Sequence, residues 1–310
     1  MRVLHGLDGL RSLSPGAVVS IGNFDGLHVG HRQILRLAAD LRRRHGGELA
    51  VVTFEPHPLT RLRPELAPPR LTPPDAKHDR LQAMGIDALV ELPPTDEVLN
   101  LAAEDFWRIL RDDIRVSHMV EGTSFNFGKG RGGTIARLAD WCAASGVELH
   151  IIEAVAVTLL DKWVVPVNSS LIRWLLANGR ARDAAVCLGR PYELAGPVVP
   201  GHQRGRNLGV PTANLRCDQQ LVPMEGVYAG RCRIDGRDYP VALSIGTMPT
   251  FGPNAAQIEA HVMGFAGDLY GTDLRVEVLD WVREQRKFPS LDALKARMAR
   301  DMEQIIALQN

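Results

Sequence analysis

Short apolar runs alternate with amphipathic stretches from Ala17 to about residue 180, and this alternation constrains the fold more than any other feature. The series opens with AVVSI, HRQILRLAADLRRRHG and LAVVTF, and Gly or Pro marks most of the breaks. The apolar runs have the length of buried strands, and the longer stretches carry the apolar stripe of a helix. Strands that alternate with helices pair in parallel, so this part is predicted to be a doubly wound α/β sheet.

The pattern changes after the helical segments SSLIRWLLANG and RDAAVCLG, where short strands with frequent Gly and Pro begin. Asp235-Gly236 stands between two strand-like runs and predicts a hairpin, because a type I′ turn needs positive φ at both central positions. The texture predicts a small β-barrel.

The last stretch, SLDALKARMARDMEQIIALQ, predicts a helix packed against the barrel. Ser290 is its expected N-cap. Its apolar face comprises Leu294, Met298, Met302 and Ile305. By contrast, the Pro-rich stretch RLRPELAPPRLTPPDAK is expected to form a long loop near the first site.

Length and composition favour a protein of two globular domains, with 310 residues and 45% hydrophobic residues. Lys+Arg 36 balances Asp+Glu 36, so no net field attracts nucleic acid or an anionic membrane. No apolar run is long enough for a membrane span, and the N-terminus lacks a signal peptide. We therefore expect a soluble, cytoplasmic protein that is a monomer or a weak homo-oligomer.

The cysteines are widely separated and form neither a CxxC pair nor a cluster with His. This spacing argues against a zinc site or a disulfide framework and fits a reducing cytosol. The four are Cys142, Cys187, Cys217 and Cys232.

The segment GNFDGLHVGH follows the apolar run AVVSI and leads into a strongly patterned helix. A strand, a glycine-rich turn and a helix N-terminus together form an anion site. His28 and His31 can face the same direction and donate hydrogen bonds to ATP phosphate as charge moves onto departing pyrophosphate. Gly30 lets a nucleotide approach the backbone. The alternative is that both histidines are surface or capping residues.

GNFDGLHVGH resembles the G-x-F-D-G-x-H-x-G-H signature of bacterial bifunctional riboflavin kinase/FAD synthetases, members of the H-x-G-H nucleotidyltransferase superfamily. TFEPHP (53–58) looks like the family's T-F-x-P-H-P element, and NSSLIR (168–173) is similar to S-S-T-x-I-R. GTSFNFG (122–128) matches G-x-D/N-F-x-F-G, with Ser124 where the family usually carries Asp or Asn. Asn168 and Ser170 also depart from the family pattern. The basic residues Lys129 and Arg131 follow in a loop.

The resemblance implies roles for these motifs in the adenylylation of FMN by ATP. His28 and His31 are the expected catalytic residues. The expected ATP-binding residues are Gly22, Phe24, Asp25, Gly30, His57, Ser169, Ser170 and Arg173. The expected flavin-binding residues are Asn23, Phe54, Pro56, Ser124, Phe125 and Phe127.

GRNLGVPTAN (205–214) resembles the flavokinase signature G-R-x-L-G-F-P-T-A-N, and SIGTMPTF (244–251) resembles N-I-G-x-x-P-T-F with Ser244 in place of Asn. If Thr212 to Asn214 is extended, both side chains lie on one face and can hold Mg²⁺ together with ATP phosphates. Glu259 resembles the family's catalytic glutamate and is the expected base for the riboflavin hydroxyl. The other expected kinase-site residues are Gly205, Arg206, Gly209, Pro211, Tyr228, Thr250 and Phe251.

We therefore expect a Rossmann-like FMN adenylyltransferase domain over residues 1–184 and a Greek-key barrel riboflavin kinase domain over 185–310. The expected substrates and products of the whole chain are riboflavin, FMN, FAD and ATP. Mg²⁺ is the expected cofactor, and neither nucleic acid nor a membrane is expected as a partner. Three alternatives remain open: a kinase with an impaired adenylyltransferase half, a flavin-binding regulator without turnover, and an H-x-G-H transferase for another acceptor. The GRNLGVPTAN segment opposes the last of these, and the presence of Thr212, Asn214 and Glu259 opposes the second.

Overall fold

The computed structural model describes residues 1–200, 212–218, 220–247 and 256–309. The chain divides into two compact units: Met1–Pro69 with Pro74–Ala156, and Arg70–Pro73 with Val157–Asn310. The boundary between the two compact units thus lies after residue 156. The helical segments between residues 157 and 184 belong to the second unit. The division of the two activities after residue 184 stays a prediction.

The first unit contains a six-stranded sheet in which every pairing is parallel. The sheet order is β1-β4-β3-β2-β5-β8, and β6 and β7 form a separate two-stranded sheet. The predicted doubly wound sheet is confirmed. The strands are β1 (Arg2–His5), β2 (Val18–Ile21), β3 (Leu49–Phe54), β4 (Ala88–Leu92), β5 (His118–Gly122), β6 (Asn126–Phe127), β7 (Gly133–Thr134) and β8 (Glu148–Ile152).

Helices cover both faces of this sheet, so both faces are apolar. Consecutive residues of β2, Val18 and Val19, belong to two different apolar clusters, one on each face. The helices are α1 (Gly6–Arg11), α2 (Val29–His45), α3 (Leu59–Leu62), α4 (Pro74–Ala83), α5 (Asp96–Leu99), α6 (Ala103–Arg108) and α7 (Ile135–Ser145). Short helical turns span Pro64–Leu66, Ile109–Asp113 and Lys129–Arg131.

The Pro-rich stretch was predicted from the sequence to be a long loop, and this prediction is wrong for its last residues. Helix α4 begins within it, at Pro74. Proline is tolerated in the first turn of a helix because its missing N–H would have no partner there.

The sheet order creates a topological switch point beside β2. The chain runs outward from β2 through β3 to β4 and then returns to the other side of β2 as β5. The connections that leave β2 and β5 therefore diverge at the carboxyl edge of the sheet. In open parallel sheets a crevice at such a point is the usual ligand site.

The second unit contains a closed antiparallel barrel in the order β11-β12-β15-β14-β13-β16. The Asp235-Gly236 hairpin is confirmed, with φ of 49° and 79°. The strands are β9 (Ala156–Thr158), β10 (Val164–Pro166), β11 (Tyr192–Val199), β12 (Ala213–Leu215), β13 (Gly226–Ile234), β14 (Arg237–Thr247), β15 (Ala256–Val262) and β16 (Asp273–Arg283). The helices are α8 (Ser169–Ala177), α9 (Ala181–Leu188) and α10 (Leu291–Ala307).

Helix α10 packs on the outside of the barrel, as predicted. Ser290 caps it, because its side-chain oxygen accepts a hydrogen bond from the Ala293 amide at 3.2 Å. The buried Asp301 accepts a hydrogen bond from Arg283 on β16 at 2.8 Å, and Ile305 is fully buried. An ion pair and an apolar contact thus attach the helix to the barrel.

Some of the predicted kinase-site residues lie outside the described residues. These are Gly205, Arg206, Gly209, Pro211, Thr250 and Phe251. No helix within the described ranges is long and apolar enough to cross a membrane.

Candidate active sites

The turn after β2 brings His28 and His31 together at the start of α2. Their rings are stacked, with centroids 3.6 Å apart and planes 19° apart. His28 is the N-cap of α2, and its Nδ1 accepts a hydrogen bond from the His31 amide at 3.3 Å. His28 is therefore a capping residue as well as part of a histidine pair at the switch point.

The turn is anchored by Phe24 and Leu27, which have positive φ and are each only 2% exposed. Their side chains join the apolar cluster on the α2 face of the sheet. Gly30 leaves room for the His28 ring, because a Cβ at that position would lie 3.2 Å from the ring and the ring would have to move slightly. In this structure the group that lies next to Gly30 is thus the imidazole of His28.

Burial lowers the pKa of His31 well below its usual value, and the neighbouring His28 lowers it further. The Nδ1 atom of His31 is buried without a hydrogen-bond partner among the described residues. The neutral form of the His31 ring is therefore favoured in this environment.

The backbone ladder between β2 and β5 pairs only Val18 with His118 and Val19 with Met119. Beyond that point two side chains bridge the strands. Ser20 donates to the Val120 carbonyl at 2.7 Å, and Glu121 accepts from the Ile21 amide at 2.9 Å.

Burial raises the pKa of Glu121 well above its usual value, although the bond from the Ile21 amide lowers it in part. Glu121 is 1% exposed and lies at the carboxyl ends of the two strands that flank the switch point. Glu121 is not among the site residues predicted from the sequence, although an acidic residue inside the strand-like run SHMVEG was a signal.

The end of β3 lies beside the histidine turn. Thr53 donates a hydrogen bond to the Asn23 carbonyl at 3.2 Å and so joins the two segments. His57 Nδ1 accepts from the Leu59 amide at 3.1 Å, at the start of α3. Glu55 forms an ion pair with the buried Lys77 at 3.2 Å. The TFEPHP motif is thus at the same edge of the sheet as His28.

The end of β5 supplies an aromatic group to this edge. Phe125 stacks on Phe127 with centroids 5.4 Å apart, and Phe127 also contacts Phe106 at 5.7 Å. Phe125 is half-buried, whereas Phe127 is buried. Ser124 is exposed, and its carbonyl accepts from the Asn126 side chain at 2.8 Å. Phe125 is therefore only partly covered by the protein.

The NSSLIR motif forms the start of α8 in the second compact unit. Asn168 is its N-cap, with the side-chain oxygen accepting from the Leu171 amide at 2.8 Å. Ser169 and Arg173 are half-buried, and Ser170 is exposed. That these groups act on the same nucleotide as His28 stays a prediction.

In the barrel, Asn214, Glu259 and Ser244 form a row across three neighbouring strands. Asn214 on β12 pairs with Glu259 on β15, which in turn pairs with Ser244 on β14. Residues paired in this way point to the same face. Because the neighbouring Ile258 is buried inside the barrel, this row lies on the outer face.

A cavity of about 530 Å³ lies between this outer face and α10. Thr212 and Glu259 line it on the barrel side, and Leu294, Met298 and Met302 line it on the helix side. The volume is in the range of small-molecule sites, roughly 300–1,000 Å³. The cavity combines an apolar wall with a carboxylate and a hydroxyl.

Glu259 is oriented by Gln257, whose amide donates to the Glu259 carboxylate at 2.6 Å. Gln285 donates to the Ser244 hydroxyl at 2.8 Å. Neither glutamine was singled out from the sequence, although Gln257 lies two residues from Glu259 on the same strand face. Tyr228 is fully buried in the barrel, where its hydroxyl donates to the Met224 carbonyl and where burial raises its pKa.

Comparisons with known proteins assign a family to each of the two parts of the chain. Residues 10–161 match the family model described as FAD synthetase, and residues 188–308 match the one described as riboflavin kinase. A relative from Pseudomonas fluorescens, named bifunctional riboflavin kinase/FMN adenylyltransferase, is 36% identical over 99% of this chain and 98% of its own length.

The protein of the same name from Escherichia coli K12 is 33% identical over 97% of this chain and 96% of its own. A crystal structure described as a macrolide-efflux protein from Streptococcus pneumoniae has a TM-score of 0.87 at 27% identity, over 98% of each chain. The words macrolide-efflux protein describe the Streptococcus pneumoniae structure and are not carried over to this chain.

A parallel α/β unit with an H-x-G-H turn at its switch point, joined in sequence to a barrel with a carboxylate-lined cavity, is the architecture of a two-domain nucleotide-dependent transferase. The chain belongs to the family of bifunctional riboflavin kinase/FMN adenylyltransferases.

Proposed function

We propose that the chain phosphorylates riboflavin to FMN and adenylylates FMN to FAD, with ATP as the donor in both reactions. The observation that carries the proposal is the barrel cavity, which Thr212 and Glu259 line within the segment that matches riboflavin kinase. The second reaction is supported by the histidine pair at the switch point, which lies within the segment that matches FAD synthetase.

In the kinase reaction, the riboflavin 5′-hydroxyl oxygen attacks the γ-phosphorus of ATP, the bond to the β–γ bridging oxygen breaks, and ADP leaves. Glu259 accepts the hydroxyl proton, and Gln257 orients the carboxylate. The apolar wall of α10 suits the flavin ring, which places the ribityl chain towards the polar row of the barrel. Glu259 is thus the general base.

The oxygen donors of Thr212 and Asn214 fit Mg²⁺, which prefers hard oxygen ligands and keeps several waters or phosphate oxygens of its own. When bound, Mg²⁺ neutralises phosphate charge. Asn214 lies directly opposite Glu259, so the metal-binding and base functions are on adjacent strands. Thr212 lines the same cavity.

In the adenylyltransferase reaction, an FMN phosphate oxygen attacks the α-phosphorus of ATP, and pyrophosphate leaves as the α–β bridging bond breaks. The nucleophile is already anionic, so positioning and charge stabilisation suffice. His28 and His31 donate hydrogen bonds to the departing pyrophosphate, supported by His57, Ser169 and Arg173. The remaining predicted residues of this site contribute contacts to ATP or FMN.

The half-buried ring of Phe125 suits the flavin ring of FMN. Ser124, which stands where the family usually carries Asp or Asn, is exposed and offers a hydroxyl at that position. We also propose a cytoplasmic location and a monomer or weak homo-oligomer. The location is supported by the four cysteines, which are all buried and unpaired.

The test is product analysis by chromatography after incubation of the purified chain with riboflavin, ATP and Mg²⁺. The expected result is FMN first and then FAD. FMN without FAD, even when FMN is supplied, would show that the first unit lacks its chemistry. If neither product forms, both reactions are excluded and the chain is a flavin-binding protein at most.

A further inference from the structure

A second cluster of histidines lies at the edge of the parallel sheet opposite to the crevice. His118 is the first residue of β5, and it pairs directly with Glu148, the first residue of β8. His150 follows two residues later on the same strand and therefore faces the same side. His45, at the end of α2, packs against the His118 ring with centroids 4.6 Å apart.

Three donor atoms of this cluster form a compact triangle. His118 Nδ1 lies 3.4 Å from His150 Nε2 and 3.6 Å from a Glu148 carboxylate oxygen, and that oxygen lies 3.8 Å from His150 Nε2. These separations exceed the usual hydrogen-bond distance of about 2.9 Å. His118 and His150 are at the limit of hydrogen-bond distance, and both lie at ion-pair distance from Glu148, so three potential metal ligands converge on one point.

The same separations match those between ligands of one metal ion. A point equidistant from the three atoms lies about 2.1 Å from each, which is close to the Zn–N and Zn–O bond lengths of about 2.0–2.2 Å. We propose that His118, Glu148 and His150 bind a divalent transition-metal ion of the Zn²⁺ class, with the fourth coordination position open to solvent.

The donor set selects the class of metal. Two imidazole nitrogens and one carboxylate oxygen suit Zn²⁺, Co²⁺ and Ni²⁺, whereas Mg²⁺ prefers oxygen ligands. The Mg²⁺ that accompanies ATP therefore does not compete for this triangle. His28 and His45 lie at opposite ends of α2, which has 17 residues and is therefore about 26 Å long. The metal ion is thus remote from the adenylyltransferase chemistry.

The position in the sheet indicates what the ion does. β8 is an edge strand and pairs only with β5 within the described sheet. An ion held by both strands fastens their amino ends together. The bound ion is thus a structural clamp on the edge of the first unit, and it stabilises the folded state by binding to it.

The test is titration of the untagged full chain with Co²⁺ in the absence of nucleotide, followed by the visible d–d absorption of the bound ion. We expect one Co²⁺ per chain, displaced by Zn²⁺, and a rise in Tm on binding. His150→Ala and Glu148→Gln should each weaken Co²⁺ binding at least about tenfold. Both side chains are more exposed than that of His118, so these variants should still form FMN and FAD.

Two controls separate this site from others. His5→Ala removes an exposed histidine at the end of β1, and His31→Ala removes one from the crevice; both should bind Co²⁺ as the wild type does. The proposal is overturned if the wild type binds no Co²⁺, if His150→Ala binds it unchanged, or if His31→Ala alone abolishes binding. A thiolate charge-transfer band would also overturn it.

Discussion

The imidazole ring of His28 lies almost parallel to that of His31, 3.6 Å away, at the first turn of α2. Burial disfavours a charged ring, and two protonated rings at this distance would also repel each other, so the pKa of His31 is well below its usual value. A nucleotide phosphate next to the pair reverses this balance. We therefore expect the pair to become a better donor when ATP binds and as charge develops on pyrophosphate.

His28→Asn separates the two roles of His28. Asparagine is a favoured N-cap, so it should keep the hydrogen bond from the His31 amide while removing the imidazole. FAD formation from supplied FMN should fall by roughly 10²-fold or more, with riboflavin phosphorylation unchanged, as measured by chromatography. His28→Ala should also lose about 1 kcal/mol of stability. Wild-type FAD formation in His28→Asn would reduce His28 to a helix cap.

Glu259→Gln should affect the opposite reaction. The glutamine fills the same space beside Gln257 but accepts no proton, so riboflavin phosphorylation should fall by roughly 10²–10⁴-fold. FAD formation from supplied FMN should stay at the wild-type rate. Glu277→Gln is the matched control, because Glu277 is a barrel carboxylate that pairs with Arg231 outside the cavity. Equal loss in both variants would indicate damage to the barrel rather than removal of a base.

Local patterns predicted those parts of the fold that depend on residues close in sequence. The Asp235-Gly236 hairpin, the Ser290 cap and the strand–turn–helix around His28 were predicted because each signal lies within a few residues. The start of α4 inside the Pro-rich stretch was missed. That stretch contains many prolines, and only the position of Pro74 in the first turn makes a helix possible.

The parts of the sites that depend on distant residues were not predictable in this way. The bridge from Glu121 to the Ile21 amide joins residues 100 positions apart, and it follows from the splaying of β2 and β5. The cavity depends on how α10 packs against the barrel, which periodicity alone does not determine. Glu259 was predicted by resemblance, whereas Gln257, which orients it, has no motif of its own.

Asn168 tests whether a departure from the family pattern affects function. Because its side chain already caps α8, Asn168→Ser should change neither stability nor FAD formation appreciably. Asn168→Ala should lower the free energy of unfolding by about 1 kcal/mol in urea titrations. A several-fold increase in FAD formation by Asn168→Ser would instead show that the natural asparagine impairs the adenylyltransferase half.

Glu121 should make the stability of the first unit depend on pH. Its pKa is raised in the folded state, so between the ordinary value and the raised value the folded protein binds more protons than the unfolded chain. In this pH range the free energy of unfolding falls as pH rises. The stabilising contribution of the protonated carboxyl is therefore present at low pH and lost as pH rises through the folded pKa.

Glu121→Gln cannot ionise, yet its side-chain oxygen can still accept the hydrogen bond from the Ile21 amide. The variant should therefore gain stability relative to the wild type as pH rises from 5 to 8, by about 1.4 kcal/mol for each unit by which the folded pKa is raised within that range. Urea unfolding at several pH values measures this difference, in which contributions from the second unit cancel. Glu153→Gln, at an exposed position, is the control. A difference between Glu121→Gln and wild type that stays constant with pH would show that Glu121 is ionised in the folded protein.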